Sequence, residues 1–188
     1  MNAHIQDQTF TNTDFTSTQP ATEYEACEFV HCNFSKADLS SFRFVDCTFI
    51  DCDWSNAKLI KTTLNDVKFT GSKALGLNFH ECGEALFTVS FDNCNLSFSS
   101  FYNRTMKKTV FEACLLHEVD FTQAVLIGSS FENCGLTRAV FENTVLEKVD
   151  FRTAFNFTID PERNKLKKAR FSNVNLAGLL TNYDLVID

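Results

Sequence analysis

Phe111-Glu112-Ala113-Cys114-Leu115-Leu116-His117-Glu118-Val119-Asp120-Phe121-Thr122-Gln123-Ala124-Val125-Leu126-Ile127-Gly128-Ser129-Ser130-Phe131 is the stretch that decides the fold. Its large apolar residues recur every five positions, at Phe111, Leu116, Phe121, Leu126 and Phe131. Five residues advance an α-helix by about 500°, which scatters apolar side chains around its axis. In a flat strand an odd spacing sends successive side chains to opposite faces. A chain that turns a corner every five residues can bury all of them together. Four corners make a coil of twenty, and coils stack into a solenoid.

The same period runs outward in both directions. One column of phenylalanines recurs at Phe29, Phe49, Phe69, Phe91, Phe111, Phe131, Phe151 and Phe171, always twenty residues apart except for the twenty-two between Phe69 and Phe91. The second face is Phe34, Trp54, Ala74, Leu96, Leu116 and Leu136, and the third is Leu39, Leu59, Phe79, Phe101, Phe121 and Phe141. The fourth is Tyr24, Phe44, Leu64, Leu86, Met106, Leu126 and Leu146, so the register is expected to resume at Leu86 after an insertion in residues 80–85. Two residues before most of these positions stands a smaller one, such as Cys27, Ala37, Cys94 or Ala124. A spacing of two places both side chains on one face of a short extended segment.

These motifs resemble the pentapeptide repeat proteins, whose small–polar–Leu/Phe–polar–polar unit stands here as Cys27-Glu28-Phe29-Val30-His31, Ala37-Asp38-Leu39-Ser40-Ser41 and Ala57-Lys58-Leu59-Ile60-Lys61. The resemblance covers roughly 23–176. It implies an all-β solenoid, a right-handed quadrilateral β-helix, with a short helix-and-strand cap at the C-terminus. Residues 1–22 lie outside the main register and are read as an N-terminal cap, because a solenoid end exposes unpaired strand edges. Asn156 and Pro161 interrupt the last coil. Residues 177–188 form the C-terminal cap, with a helix over 175–183, a strand at Leu185-Val186-Ile187, and Leu179, Leu180 and those three apolar residues buried over the final coil.

Eight cysteines invite a metal or disulfide reading, yet seven occupy the small inward position and no CxxC pair exists. They read as free, buried filler, with Cys82 in the insertion as the one exposed thiol. His31, His80 and His117 fall at corner or outward positions, and no phosphate loop, HExxH or nucleophile elbow is present. No enzyme, cofactor or metal site is therefore expected. Two charges break the pattern: Glu84 and Arg104 both fall in the small inward position, either as an ion pair bridging adjacent coils or as a bulge that turns both to water. The polar start of the chain and the absence of a long apolar run lead to the expectation of a cytoplasmic protein.

Charge carries the remaining functional signal. The net charge is −7, and five of the 17 basic residues cluster at Arg163, Lys165, Lys167, Lys168 and Arg170. Asp92, Glu112 and Glu132 each follow a column Phe and should form an acidic stripe, with Asp46, Asp51, Asp53 and Asp66 as a second acidic region. Direct nucleic-acid binding is disfavoured by sign. Among pentapeptide repeat proteins the chain is similar to the Qnr-type quinolone-resistance members, dimeric rods that bind DNA gyrase or topoisomerase IV, although it lacks their two long projecting loops. That resemblance implies a homodimer joined through its C-termini and a DNA-mimicking rod whose acidic stripe meets a topoisomerase. The alternative is an interaction scaffold for an unrelated protein partner.

Overall fold

In a computed structural model, which describes residues 4–17, 20–183 and 185–186, the chain is a four-sided solenoid of parallel strands. The Phe column lies on a seven-stranded sheet formed by β2 (Thr9–Thr11), β4 (Glu28–Val30), β6 (Thr48–Ile50), β8 (Val67–Thr70), β9 (Val89–Asp92), β10 (Val110–Glu112) and β11 (Ser130–Glu132). In its register Phe29 pairs with Phe49, Phe49 with Phe69, Phe69 with Phe91, and Phe111 with both Phe91 and Phe131. The fourth face starts as a four-stranded sheet of β1 (His4–Gln6), β3 (Glu23–Glu25), β5 (Arg43–Val45) and β7 (Thr63–Asn65). The second and third faces are joined by single bridges, such as Leu115 with Gly135 and Asp120 with Val140.

The five-residue period becomes a corner through the backbone. In the tight corners the small residue's N–H donates to the carbonyl three residues back, as from Ala37 to Phe34 (3.0 Å), Ala124 to Phe121 (3.0 Å) and Ser129 to Leu126 (3.0 Å). The residue just before it takes a positive φ: 59° at Lys36, 60° at Gln123 and 71° at Gly128. Asn, Asp and Gly reach that region at least cost, which accounts for the polar residues of the repeat.

Inside, rings stack down the column. The centroids of Phe111 and Phe131 are 4.9 Å apart with planes within 2°, while Phe111 meets Phe121 of the neighbouring face edge-on at 6.0 Å and 84°. Both arrangements suit the aromatic quadrupole. Seven column phenylalanines are at most 1% exposed, and Phe171, at the end of the stack, is only partly buried.

The smaller inward position does more than fill space. Its side chains donate to carbonyls of the preceding coil: Thr62 Oγ1 to Leu39 (2.8 Å), Ser99 Oγ to Ala74 (2.7 Å), Ser129 Oγ to Met106 (2.9 Å) and Thr144 Oγ1 to Phe121 (2.9 Å). Cysteine thiols fill the same role with longer contacts, from Cys52 Sγ to Phe29 (3.3 Å) and Cys94 Sγ to Phe69 (3.4 Å). The Leu39 and Phe121 carbonyls also accept corner N–H groups from Phe42 and Ala124 (both 3.0 Å), so there the hydroxyl adds a second donor; a buried carbonyl left without any donor costs about 1–3 kcal/mol. All eight cysteines are free and buried. Burial pushes the Cys47, Cys52 and Cys82 thiols up to about 12, so they stay protonated at neutral pH. Cys82 is only 4% exposed, which corrects the expectation of an exposed thiol.

Several local expectations change. Leu86 is 66% exposed at φ 58°, and Phe87 turns toward the core in its place. The two-residue insertion is absorbed by a loop, and the ladder resumes as Thr88 N–H donates to the Leu64 carbonyl (2.9 Å). At the N-terminus Ile5 pairs with Tyr24 and Phe10 with Phe29, so residues 4–17 extend the repeat rather than standing outside it. We propose that the described part of this N-terminal segment caps the rod by adding a coil. In the last coil Asn156 is exposed at φ 59°, and Phe157 and Ile159 enter the core instead. The C-terminus forms two 3-10 helices, Asn173–Leu179 and Thr181–Tyr183. Leu185 and Val186 belong to no strand and are 58% and 90% exposed, against the expected strand and burial; Ile187 lies outside the described residues.

Candidate partner-binding face

The acidic stripe follows from strand geometry. Asp92 ends β9, Glu112 ends β10 and Glu132 ends β11. The register pairs Glu112 with Asp92 and with Glu132, so the three carboxylates step along the rod at the interstrand spacing of about 4.8 Å. Each column Phe points inward, so the next residue must point outward. All three are exposed, and among the described residues no cation lies within 4.0 Å of them.

The stripe has ends. On the N-terminal side the equivalent position is Thr70, paired with Asp92. On the C-terminal side it is Arg152, whose Nη2 and Nε donate to Asp150 at 2.7 and 2.9 Å. Arg170 approaches the same carboxylate at 3.4 Å. The hydrogen bonds from Arg152, with the charges of Arg152 and Arg170, hold the Asp150 carboxyl below the usual range. Negative charge is thus concentrated over three coils in the middle of this face and gives way to paired charge beyond them.

The second acidic region does not come together as one patch. Asp46 and Asp66 occupy one corner row, while Asp51 lies at another, 3.9 Å from His31 Nδ1. Asp53 Oδ1 accepts from Ser55 N–H (2.9 Å), an Asx turn that fixes a corner. The basic cluster divides similarly: Arg163 is bound to Glu142 at 2.8 Å and Arg170 to Asp150, leaving Lys165, Lys167 and Lys168 exposed.

Glu84 and Arg104 do not form the bridging pair. Arg104 is 6% exposed, and its Nη1 and Nη2 donate to the Cys82 (3.1 Å) and Gly83 (2.7 Å) carbonyls. Its guanidinium lies 4.2 Å from the Phe87 ring centre. Desolvation lowers its pKa, although a guanidinium stays charged near neutrality. Glu84 is exposed and lies on the rim of an open cup of about 500 Å³, beside His80 and Tyr102. Arg104 thus ties down the insertion loop. A basic residue in a small inward position, one coil after an insertion, was the signal that could have revealed this.

Sequence reasoning missed an apolar strip on the second face. Gly135 sits between Leu115 and Phe155, and a Cβ built there would lie 3.1 Å from the Phe155 ring. Leu115, Phe155 and nearby Phe98 are 53%, 47% and 57% exposed. Each falls at a position that the repeat assigns to polar residues. No helix among the described residues is long and apolar enough to cross a membrane, and no group of three or more His, Cys, Asp or Glu among them could hold a metal ion.

Comparison with known proteins places this geometry. Among solved structures the chain is similar to two trypsin-treated variants of QnrB1, a plasmid-mediated fluoroquinolone resistance protein. The first is 17% identical over 97% of this chain and 99% of the other, with a TM-score of 0.64. The second is 18% identical over the whole of both chains, with a TM-score of 0.58. HetL, a pentapeptide repeat protein involved in heterocyst differentiation regulation in the cyanobacterium Nostoc sp. strain PCC 7120, matches with 16% identity over 89% of this chain and 87% of its own, at a TM-score of 0.48. At such identities the likeness is one of fold. No curated protein sequence matches the chain. The family model for the pentapeptide repeat region matches residues 22–83 and 84–154, most of the rod whose coils and corners are described above, and the chain belongs to the pentapeptide repeat family.

Proposed function

We propose that the protein is a non-enzymatic binding rod whose acidic stripe engages a protein partner with a basic, DNA-binding groove, a type II topoisomerase such as DNA gyrase or topoisomerase IV. The observation that carries this reading is the row of Asp92, Glu112 and Glu132, none with a cation within 4.0 Å among the described residues, on three successive strands. Stacked like charges repel, and the fold does not need them, because their outward positions accept uncharged residues equally well. Duplex DNA presents about one negative charge per 3.4 Å along each strand, denser than this stripe but of the same sign and linear form. The shared solenoid of QnrB1, named as a fluoroquinolone resistance protein, supports the topoisomerase as partner and fluoroquinolone protection as the outcome. The reading carries with it a cytoplasmic location and no direct contact with nucleic acid.

The test is Glu112→Lys with Glu132→Lys. Affinity for gyrase should fall at least about tenfold, equivalent to about 1.4 kcal/mol, and wild-type binding should weaken as salt rises. Supercoiling assays with and without a fluoroquinolone report the protective effect. Unchanged affinity in the double variant would overturn the role of the stripe.

A specific observation favours the scaffold alternative: the Leu115–Gly135–Phe155 strip is a surface suited to an apolar partner. Leu115→Asp would abolish that partner's binding and leave gyrase binding intact. Dimerisation through the C-terminal end, the other part of the proposal, is supported by the exposure of Val174 (94%), Leu185 (58%) and Val186 (90%). Truncation after Gly178 should abolish the association made through that end or leave an aggregate, and unchanged end-to-end association would exclude that end.

A further inference from the structure

The corner row that leads from the fourth face into the Phe face is segregated by charge. Toward the N-terminus its residues are Asp7, Ala26, Asp46 and Asp66, with φ between 50° and 55°. Toward the C-terminus they are Lys108, Gly128, Lys148 and Lys168, with φ between 59° and 71°. The row is a true structural column. The Asp7 N–H donates to the Glu25 carbonyl of the next coil (3.1 Å), Asp46 to Asn65 (2.9 Å), Lys108 to Ile127 (2.9 Å) and Lys148 to Lys167 (3.0 Å).

Neither local conformation nor neighbouring charge accounts for this pattern. Left-handed backbone suits Asn, Asp and Gly, and it gives no reason for lysine. Elsewhere on the rod, opposite charges on adjacent coils neutralise one another, as Arg138 does Glu118 (3.2 Å) and Arg163 does Glu142 (2.8 Å). Among the described residues none of the three aspartates or three lysines of this row has an opposite charge within 4.0 Å. All six are exposed. The flanking Lys107, Lys165 and Lys167 add to the positive half, and Glu147, beside Lys148, offsets part of it.

We propose that this edge of the fourth face binds a second copy of the chain in an antiparallel, side-by-side pair. A two-fold axis along the strand direction, placed at the coil of Phe87 and Thr88, reverses the rod axis and lays the row against itself. Asp66 then faces Lys108 of the second copy and Asp7 faces Lys168, and each contact occurs twice, as an isologous interface requires. Val45 of one copy falls opposite Ile127 of the other between the charged ends, and Glu25 falls opposite Glu147, a like-charge contact outweighed by the Asp66–Lys108 and Asp7–Lys168 pairs. The parallel alternative sets Asp against Asp and Lys against Lys, which charge repulsion disfavours. The same operation places the two acidic stripes on one side of the pair, running in opposite directions. This inference concerns self-association and stands whether or not a topoisomerase is the partner.

Sedimentation equilibrium at low and high ionic strength tests it. The wild-type protein should dimerise, more weakly at high salt. Lys108→Glu with Lys168→Glu should weaken that association at least tenfold, and so should Asp7→Lys with Asp66→Lys. The variant carrying all four changes restores complementarity and should dimerise again, which also shows that the substitutions leave the fold intact. Val174→Asp, at the C-terminal end, should leave the salt-sensitive association unchanged. Wild-type affinity in either double variant, or failure of the quadruple variant to recover, would overturn the proposal. It would also be overturned by a monomeric wild-type protein whose lysines instead bind a duplex DNA oligonucleotide.

Discussion

Phe111 and Phe171 occupy the same position of the repeat sixty residues apart, each twenty residues after another column Phe. Phe111 is 0% exposed, stacked between Phe91 and Phe131 at 5.3 and 4.9 Å. Phe171 stacks on Phe151 at 5.3 Å, but among the described residues no further coil follows it, and it remains partly open. Burial in a solenoid is therefore conferred by neighbouring coils rather than by the local motif. The rod's two ends meet this problem differently. At the N-terminus Phe10 continues the stack at 5.0 Å from Phe29. At the C-terminus the chain leaves the repeat and lays a 3-10 helix against the last coil.

The largest effect should come from breaking the middle of the column. Phe111→Ala should destabilise the rod by about 3–5 kcal/mol, the range for buried Phe truncation, and Phe171→Ala by about half as much or less. Equal losses in chemical denaturation would mean that the end is packed as tightly as the middle.

Gly178 sharpens the comparison, because it joins the terminal helix to the last coil. Its carbonyl accepts from Ile159 N–H (2.9 Å), and a Cβ there would overlap the Phe157 carbonyl oxygen and lie 2.7 Å from the ring. Gly178→Ala should cost about 1–3 kcal/mol by overpacking, with hydrogen exchange rising first in 155–183. Exchange rising evenly along the rod would show that the end does not open on its own.

A smaller loss is expected within the middle when a donor is removed. Ser129 Oγ donates to the Met106 carbonyl (2.9 Å) and accepts from Thr109 N–H (3.1 Å). Ser129→Ala orphans both and should cost about 1–3 kcal/mol, whereas Ser129→Cys should recover part of it, as cysteine fills that position elsewhere. If the two variants melt alike, the inward position is filler alone.

The smallest effect is acid-dependent and belongs to the paired end of the Phe face. Asp150 is held below its usual pKa by Arg152 and Arg170, so its contribution is present above the carboxylate range and lost as pH falls through the lowered value. Asp150→Asn should flatten the acid limb of a melting-temperature profile and change little near neutral pH. An unaltered acid limb would show that the pair contributes nothing measurable, as exposed pairs often do.

What was legible in the sequence had a period. The five-residue spacing allowed only a cornered coil, and with it came the Phe column, the outward position of Asp92, Glu112 and Glu132, and the inward cysteines. The sequence itself determined these features because every coil repeats the same constraint, so one strong periodicity outweighs any single substitution. Only the tertiary structure decided what happens where the period fails. Leu86 and Phe87 compete for one inward position, and the ladder bond from Thr88 selects Phe87. Arg104 is buried because the insertion places the Cys82 and Gly83 carbonyls within its reach. Leu185 and Val186 stay exposed because no coil among the described residues offers them a surface. Each of these outcomes depends on which backbone groups meet across coils, a relation between distant residues that local spacing cannot encode.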